Sequence, residues 1–222
     1  MTSAEIKREI ERLTYEFLAH GLALTNNGVA VYTQKRRSVI TWRSDVGDFA
    51  FKSEVFASIS EYCNLLANRQ YSFVLFDGSL IQISYVLERT DVIKHRLCYY
   101  PCPIVINNED LVDFGLLDLI ELIDYEEFRI RLRLQSPIRF DLDLDSVAGD
   151  HPASHLHLSR EDCRVPVCAP LSIGQFIGFV FRHFYPDQWG RHEFIRKWAS
   201  PRFARCLHED HLTQFHLECK ML

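Results

Sequence analysis

The dipeptide Asp77-Gly78 is the feature of the sequence that most constrains the fold. It separates two runs rich in β-branched and aromatic residues, which span residues 71–76 and 79–87. A two-residue Asp-Gly link between such runs is the strongest short-range signal for a β-hairpin, because a type I′ turn needs residues that accept a positive φ. We therefore expect an antiparallel hairpin here, closed by a type I′ turn.

The patterns on either side of this hairpin predict an α+β chain. Apolar residues recur at helical spacing over residues 2–19, 53–67, 109–123 and 172–185, and short strand-like runs cover 29–33, 38–42 and 95–100. Hairpins and separate helices of this kind favour a central, mostly antiparallel sheet with helices packed on one face. We expect a single domain over residues 1–222, of which residues 1–50 could form a helix-hairpin lobe at the N-terminus.

Composition limits the cellular compartment that we expect for this chain and the classes of ligand it can bind. The formal net charge is −5, which excludes binding of nucleic acid by bulk charge and leaves only a local basic strip for that role. Seven cysteines at scattered spacing are typical of a reducing compartment rather than of a disulfide framework. The N-terminus has no apolar run, and the longest apolar stretch is too short to span a bilayer. We therefore expect a cytoplasmic protein without membrane contact.

Two pairs of cysteines have spacings that a zinc site would allow. Cys98 and Cys102 are four residues apart, and Cys163 and Cys168 are five apart. Both pairs lie among prolines and aliphatic residues, and free cysteine is one of the residue types most often buried. We therefore expect these cysteines to belong to the core and predict no cofactor from them.

Residues 129–145 contain two alternating runs. The first alternates three arginines with aliphatic residues, and the second alternates Arg139 and three aspartates with apolar residues. Because strand residues alternate between faces, each run as a strand has one charged face and one apolar face. A three-residue turn keeps all the apolar residues on one side of the resulting hairpin. This register pairs Arg133 with Asp141, Arg131 with Asp143 and Arg129 with Asp145.

The charged face of this expected hairpin has two interpretations. As a solvent-facing ladder, each ion pair would contribute about 0–1 kcal/mol. As part of a polar cleft, Asp141 and Asp143 would be metal ligands or acid/base groups, and the three arginines would hold an anionic substrate. The alternation itself is consistent with both.

A short strand that follows the charged runs carries two histidines. His155, His157 and Ser159 share one face, with Leu156 and Leu158 on the other. If this strand lies beside the aspartates, a carboxylate could orient an imidazole, with His155 as the catalytic group and the other two polar residues as binding groups. Two histidines and a carboxylate suit zinc, iron or manganese, so a divalent metal belongs to this interpretation. The structural alternative is that the imidazoles bond the backbone of the preceding loop.

Two tripeptides fit the His-x-Ser/Thr pattern of two-histidine phosphoesterases. They are residues 157–159 and residues 211–213, although Gln214 departs from the apolar residue that usually follows. In that family, two such strands face each other and the two histidines act as acid and base on a phosphodiester. The resemblance implies phosphodiester chemistry that uses His157 and His211.

Five segments form a more specific set: HRLCYYPCP at 95–103, SPIRFDLD at 136–143, HPASHLHLS at 151–159, CRVPVCAPLS at 163–172 and FVFRHFYP at 179–186. The set resembles the bacterial family of uncharacterised proteins called domain of unknown function twenty-two ninety. The family pattern has His at the position of His155 and often Thr at that of His157, which implies that any shared chemistry depends on His155. The resemblance implies no activity. It suggests an accessory protein of a bacterial operon, of the defence or mobile-element kind.

Two classes of function are consistent with these observations. The first is a non-enzymatic interaction subunit that binds a protein partner, or nucleic acid through a local basic strip. The second is a phosphodiester-acting hydrolase, a nuclease or phosphodiesterase, that uses Asp141, Asp143 and His155. A concave pocket containing His155 and one of these carboxylates would favour the enzyme, and a flat surface would favour the subunit. Because the sequence contains no complete catalytic motif, the sequence alone favours the interaction subunit.

Overall fold

The computed structural model describes residues 1–45, 58–107, 115–146, 151–160 and 162–218. The strands in this part of the chain are β1 (Ala23–Asn26), β2 (Val29–Gln34), β3 (Arg37–Trp42), β4 (Phe73–Leu75), β5 (Leu80–Glu88), β6 (Asp91–Tyr100), β7 (Ile138–Asp143), β8 (Ser154–Leu158) and β9 (Arg164–Pro166). The helices are α1 (Ser3–Ala19), α2 (Ile59–Ala67), α3 (Leu116–Leu122), α4 (Tyr125–Arg131), α5 (Ile173–Phe184), α6 (Pro186–Arg191), α7 (Glu193–Arg196) and α8 (Glu209–Leu212).

The described strands form one antiparallel sheet. Its main order is β1-β4-β5-β6-β7-β8-β9, and β3 pairs with β2 on one side and with the second half of β5 on the other. The α+β class with a central antiparallel sheet is therefore confirmed. The order places β7 between β6 and β8, so the aspartates of β7 lie beside the histidines of β8.

The larger hydrophobic core lies between the sheet and helices α1 and α5. Helix α1 begins with a capping box, in which the hydroxyl of Thr2 accepts from the backbone N–H of Glu5 and the Glu5 carboxylate accepts from the backbone N–H of Thr2. Phe17 of α1 packs on Phe73 of β4 and on Phe181 of α5. The N-terminal helix therefore shares one core with the sheet and with α5.

A smaller hydrophobic cluster occupies the opposite face of the sheet. Leu80 of β5 and Tyr100 of β6 point to this face, because their neighbours Ile81 and Tyr99 belong to the larger core. They pack with buried side chains of α2 and α3. Helices therefore lie on both faces of the sheet, which corrects the expectation that they cover one face alone.

The hairpin around Asp77-Gly78 is confirmed, but its turn is not type I′. Gly78 has a φ of +84°, whereas Asp77 is not among the residues with positive φ, and a type I′ turn needs a positive φ at both. The backbone N–H of Gly78 donates to the carbonyl of Leu75 at 2.9 Å, and the N–H of Leu75 donates to the carbonyl of Ser79 at 2.7 Å. The strands are therefore closed by a longer loop with its glycine in the left-handed region.

Replacement of Gly78 by Ala is expected to lower the free energy of unfolding by about 2 kcal/mol. Alanine is strained at this φ, and its Cβ would lie 2.5 Å from Ile106 Cδ1 and 3.0 Å from Cys102 Sγ. The matched control is Gly21→Ala, because Gly21 has a φ of +64° but no atom within 4 Å of the added Cβ. The control should lose about 1 kcal/mol from backbone strain alone. Equal losses in urea unfolding would show that the close packing at Gly78 has no energetic effect.

The first of the two charged runs does not form a strand: residues 129–131 end helix α4, and Leu132 makes an isolated bridge to Ile104. Asp124 is the N-cap of helix α4, and its carboxylate accepts a hydrogen bond from the backbone N–H of Glu127. Glu127 in turn forms an ion pair with Arg131 one turn later. A capped first turn and charges four residues apart stabilise a helix. The strand alternative lacks a buried face, because Ile130 is exposed in the structure.

The expected register between the arginine and aspartate runs is therefore wrong. Strand β7, which carries Asp141 and Asp143, pairs with β6 and β8 instead. Asp143 forms an ion pair with Lys94 of β6, and Asp145 forms ion pairs with Arg37 and Lys94. The ion-pair partners of Asp143 and Asp145 therefore come from distant strands and not from the neighbouring run.

Some expected elements extend beyond the described residues. The helices expected over 53–67 and 109–123 are confirmed in their second parts by α2 and α3, whereas residues 53–57 and 109–114 lie outside the described residues. Residues 46–50 of the expected N-terminal lobe also lie outside them. In the described ranges, no helix has the length and apolar character needed to cross a bilayer.

Candidate functional site

Strands β6, β7 and β8 place charged and imidazole side chains together on one face of the sheet. Asp141 of β7 lies opposite Arg96 of β6 on one side and opposite His155 of β8 on the other. Arg139 of β7 lies opposite His157 of β8. Residues two apart in a strand share a face, so all five side chains are on the same side of the sheet. The residues between them on β7 and β8 belong to the larger core.

Asp141 is the centre of an ion-pair network. Its Oδ2 accepts a hydrogen bond from Arg139 Nε at 2.8 Å and lies 3.4 Å from His157 Nε2, and its Oδ1 lies 3.6 Å from Arg96 Nε. Burial by itself would raise the pKa of Asp141. The attraction of Arg96 and Arg139 outweighs burial and holds this pKa well below its usual range. Asp141 is therefore ionised at neutral pH.

The backbone holds His155 in one tautomer. His155 Nδ1 lies 2.8 Å from the carbonyl oxygen of Pro152. Because a carbonyl oxygen only accepts, Nδ1 carries the proton and Nε2 has the lone pair. Burial lowers the pKa of His155 to about 4, against the opposing attraction of Asp141, so the ring is neutral at pH 7. The bond to the loop backbone is the one expected of a structural histidine, yet it leaves Nε2 able to bind a ligand.

Several polar atoms of this cluster retain bonding capacity. Asp141 Oδ1, His157 Nδ1 and His151 Nδ1 are buried and have no hydrogen-bond partner in the described part of the chain. The ring of His155 lies 4.8 Å from that of His151 and 4.7 Å from that of His157, centroid to centroid. Buried polar atoms in native proteins are nearly always bonded. The unbonded atoms therefore indicate that this cluster can take a further ligand.

A cavity of about 150 Å³ lies over the cluster. Its ionisable lining consists of four basic residues, two carboxylates and four histidines: Lys94, Arg96, Arg139, Arg164, Asp141, Asp143, His95, His151, His155 and His157. The basic residues outnumber the carboxylates by two, so the walls of the cavity attract an anion. This is the concave arrangement of His155 with a carboxylate that favours an enzyme.

The structure brings together four of the residues that the sequence singled out. Asp141, Asp143, His155 and His157 all line the cavity. Ser159 does not: it follows β8 with a φ of +60° and is exposed. The face that Ser159 was expected to share with the histidines therefore ends at His157.

The three arginines expected in the site lie elsewhere. Arg129 and Arg131 are on α4, where they form ion pairs with glutamates of the same helix. Arg133 donates a hydrogen bond to the Asp77 carboxylate at 2.9 Å, at the hairpin loop. The expectation that these arginines hold a substrate beside Asp141 and Asp143 is wrong, because they do not share a hairpin with the aspartates.

Of the basic residues that line the cavity, the sequence patterns placed only Arg139 on the charged face and singled out none as a site residue. A signal for three of them was nevertheless present, since Arg96, Arg139 and Arg164 each lie in a segment that carries the family resemblance. His151 lies in another of these segments. Four of the five segments that carry the resemblance therefore contribute to one cavity, and the segment 179–186 does not.

The two-histidine phosphoesterase pattern is not reproduced. His211 lies on the short helix α8 rather than on a strand that faces β8. Of the two histidines in that pattern, His157 lines the cavity and His211 does not.

A family profile described as "Uncharacterized conserved protein (DUF2290)" matches residues 22–219. The matched range contains all the described strands and all the residues that line the cavity. Comparisons with curated proteins and with solved structures give no significant match. Because the profile covers most of the chain, this protein belongs to the DUF2290 family.

Proposed function

We propose that this protein is a phosphodiester-acting hydrolase whose site is the cavity over β6, β7 and β8. The observation that carries the proposal is the convergence of Asp141, His155 and His157 beneath four basic side chains. The three residues each offer a ligand-type atom within 4.8 Å of those of the other two. Hydrolysis of a phosphodiester needs groups that hold the anionic phosphate and groups that act on water. The cavity supplies both.

The basic side chains form the phosphate-binding part of the proposed site. Asp141 holds the guanidinium groups of Arg139 and Arg96 in place before any substrate arrives. Preorganised donors of this kind stabilise the charge that develops on a phosphoryl group during its transfer. A volume of about 150 Å³ is smaller than the roughly 300–1,000 Å³ of sites for drug-sized ligands. We therefore expect the phosphate group to enter the cavity while the rest of the substrate stays outside.

His155 is the group that acts on water. In the hydrolysis, the water oxygen forms a bond to phosphorus, the bond from phosphorus to the leaving oxygen breaks, and the leaving oxygen takes up a proton from solvent. His155 presents an unprotonated Nε2 that either accepts the proton of the water or holds a metal ion that activates it. Asp141, which stays ionised, keeps the arginines and His157 in position.

The purified protein is expected to hydrolyse bis(p-nitrophenyl) phosphate, and His155→Gln is expected to lower the rate at least about 100-fold. Glutamine keeps a polar side chain but has no imidazole nitrogen to act on water. The measurement is the release of p-nitrophenolate at pH 7 with Mn²⁺ present, together with a thermal melt of each variant.

The matched control for this assay is His183→Gln. His183 is an exposed histidine on α5 that does not line the cavity, so its variant should keep the wild-type rate. Wild-type activity in a folded His155→Gln protein would contradict the role of His155. A folded wild type that hydrolyses neither this diester nor a single-stranded oligonucleotide would contradict the proposed function.

An exposed apolar segment around α4 favours a second candidate function, that of an interaction subunit. Leu122, Tyr125, Ile130 and Leu134 are between 69% and 94% exposed. Large exposed apolar side chains concentrated in one short segment are typical of sites that bind a protein partner. In that role the chain would be an accessory subunit of a bacterial operon, of the defence or mobile-element kind that the family resemblance suggests.

The double variant Ile130→Ser/Leu134→Ser is expected to lose its partner if this second function is correct. The measurement is co-purification of the tagged chain from its native host, with the bound protein identified by mass spectrometry. The control is Tyr15→Ser/Phe215→Ser, which removes two side chains of similar exposure elsewhere. Recovery of the same partner with both double variants would show that the α4 segment does not bind it.

A further inference from the structure

We propose that Asp141, His155 and His157 bind one divalent transition-metal ion, of the class to which Zn²⁺ and Mn²⁺ belong. The catalytic meaning of this site rests on the proposed function, because the ion would act on the attacking water. Binding of the ion, in contrast, can be measured without any substrate. The geometry of the side chains and their hydrogen bonds support the proposal, and the positive charge of the cavity makes binding of the ion depend on an anion.

The distances between the three side chains suit a single ion. Asp141 Oδ2 and His157 Nε2 are 3.4 Å apart. Two ligands about 2.1 Å from an ion, at a tetrahedral angle, are separated by about 3.4 Å. The ligand-type atom of His155 lies within 4.8 Å of the other two. A side-chain movement of about 1 Å would therefore complete the site.

His155 makes the hydrogen bond that metal-binding histidines usually make. Such a histidine donates its second ring N–H to a carbonyl or carboxylate, which fixes the tautomer and the orientation of the ring. Here the second N–H is at Nδ1, and it donates to the backbone carbonyl of Pro152 at 2.8 Å. Nε2 is thereby left as the ligand atom, held by a backbone contact at the start of β8.

Two of the three proposed ligand residues each have a buried polar atom that makes no hydrogen bond in the described residues. Asp141 Oδ1 makes no hydrogen bond in the described residues, and Arg96 Nε lies 3.6 Å from it. His157 Nδ1 is also unbonded there, although His157 is almost fully buried. Buried polar atoms without a partner are rare in native proteins. An ion bound by both carboxylate oxygens of Asp141 would satisfy Oδ1.

The ligand types select the class of ion. Two imidazole nitrogens and one carboxylate suit Zn²⁺, Mn²⁺ or Fe²⁺, whereas Mg²⁺ and Ca²⁺ prefer sites made of oxygen atoms. Three protein ligands leave at least one coordination position open for water or for a phosphate oxygen. An open position is what hydrolysis requires, since an ion of this class lowers the pKa of bound water to near neutrality.

The charge of the cavity couples binding of the ion to binding of an anion. Four basic residues and two carboxylates line the cavity, so a divalent ion adds charge where positive charge is already in excess. The ion should therefore bind more tightly when a phosphate anion is present, and by reciprocity the anion should bind more tightly with the ion. We expect dimethyl phosphate, a diester that hydrolyses very slowly, to raise the affinity for Mn²⁺ at least about 5-fold.

The test is a titration of the metal-free protein with Mn²⁺, followed by the electron paramagnetic resonance signal of the free ion. The wild type should bind a single ion per chain. His155→Gln and His157→Thr should each weaken binding at least about 10-fold, and His183→Gln should bind as the wild type does. Zn²⁺ should displace Mn²⁺, whereas Mg²⁺ at the same concentration should not. Thermal melts establish that each variant is folded.

The outcomes separate the metal site from the proposed function. Absence of saturable binding in the folded wild type, or equal affinity in His155→Gln, would overturn the metal site. An affinity for Mn²⁺ that dimethyl phosphate leaves unchanged would overturn the coupling. Hydrolysis that persists after exhaustive chelation would overturn the catalytic ion and leave the proposed function, with His155 as the proton acceptor. One bound ion without hydrolysis of any diester would uphold the site and overturn the proposed function.

Discussion

Replacement of Asp141 by Asn is expected to lower the free energy of unfolding by about 3–5 kcal/mol. Asn removes the negative charge that Arg139 and Arg96 both face. Arg139 is only 4% exposed, so solvent compensates little for loss of the carboxylate. Removing one partner of a buried ion pair leaves the desolvation cost of the other charge with much less compensation. The measurement is urea unfolding at pH 7 in a chelating buffer, so that ion binding does not contribute.

Asp143→Asn is the matched control for this prediction. Asp143 lies two residues further along β7 and pairs with Lys94 at 3.0 Å, but both side chains are about a quarter exposed. Loss of such a pair costs at most about 1 kcal/mol, because solvent screens it. If the two variants lost equal stability, Asp141 would not be the centre of a buried network.

The elements that can be predicted from the sequence are those specified by residues close together in the chain. The capping box of Thr2 and Glu5 marks the start of α1, and Asp77-Gly78 marks the hairpin. The run of residues 129–135 is different, because alternation over a few residues does not exclude a helix. What decides its structure is the cap at Asp124 and the absence of a buried face for a strand.

For the candidate site, the sequence could predict only which residues of a single strand share a face. Alternation with apolar residues places His155 and His157 on one face of β8, and Asp141 on one face of β7. Arg96 belongs to β6, and no local pattern shows that β6 lies beside β7. Strand order depends on the packing of segments that are distant in sequence. The alternation of polar and apolar residues within one strand does not indicate which strand lies next to it. The arginines of residues 129–133 were therefore the wrong ones, whereas Arg139 of β7 itself bonds Asp141.

Mild acid is expected to destabilise the folded protein, and His95 is one cause. His95 of β6 is 1% exposed, and its Nε2 accepts a hydrogen bond from the backbone N–H of Leu171 at 3.3 Å. Burial lowers the pKa of His95 to about 4, against the weaker opposing attraction of Asp141. A histidine in the unfolded chain titrates at about 6.5. His95 is therefore neutral in the folded protein at pH values where the unfolded chain is protonated.

The sign of the pH effect follows from this difference. Between about pH 6.5 and pH 4 the unfolded chain binds a proton that the folded chain does not, so the free energy of unfolding falls as the pH falls. The loss reaches up to about 3 kcal/mol at pH 4 and vanishes above about pH 7. His95→Gln keeps a hydrogen-bond acceptor for Leu171 but cannot take up this proton.

Urea unfolding at a series of pH values from 7 to 4, in a chelating buffer, measures the contribution of His95. Asp141 and His155, which act on the pKa of His95, are present in both proteins. From pH 7 to pH 4 the wild type should therefore lose up to about 3 kcal/mol more free energy of unfolding than His95→Gln loses. The exposed His183→Gln variant should follow the wild type at every pH. Parallel curves for wild type and His95→Gln would show that His95 is protonated in the folded protein as readily as in the unfolded chain.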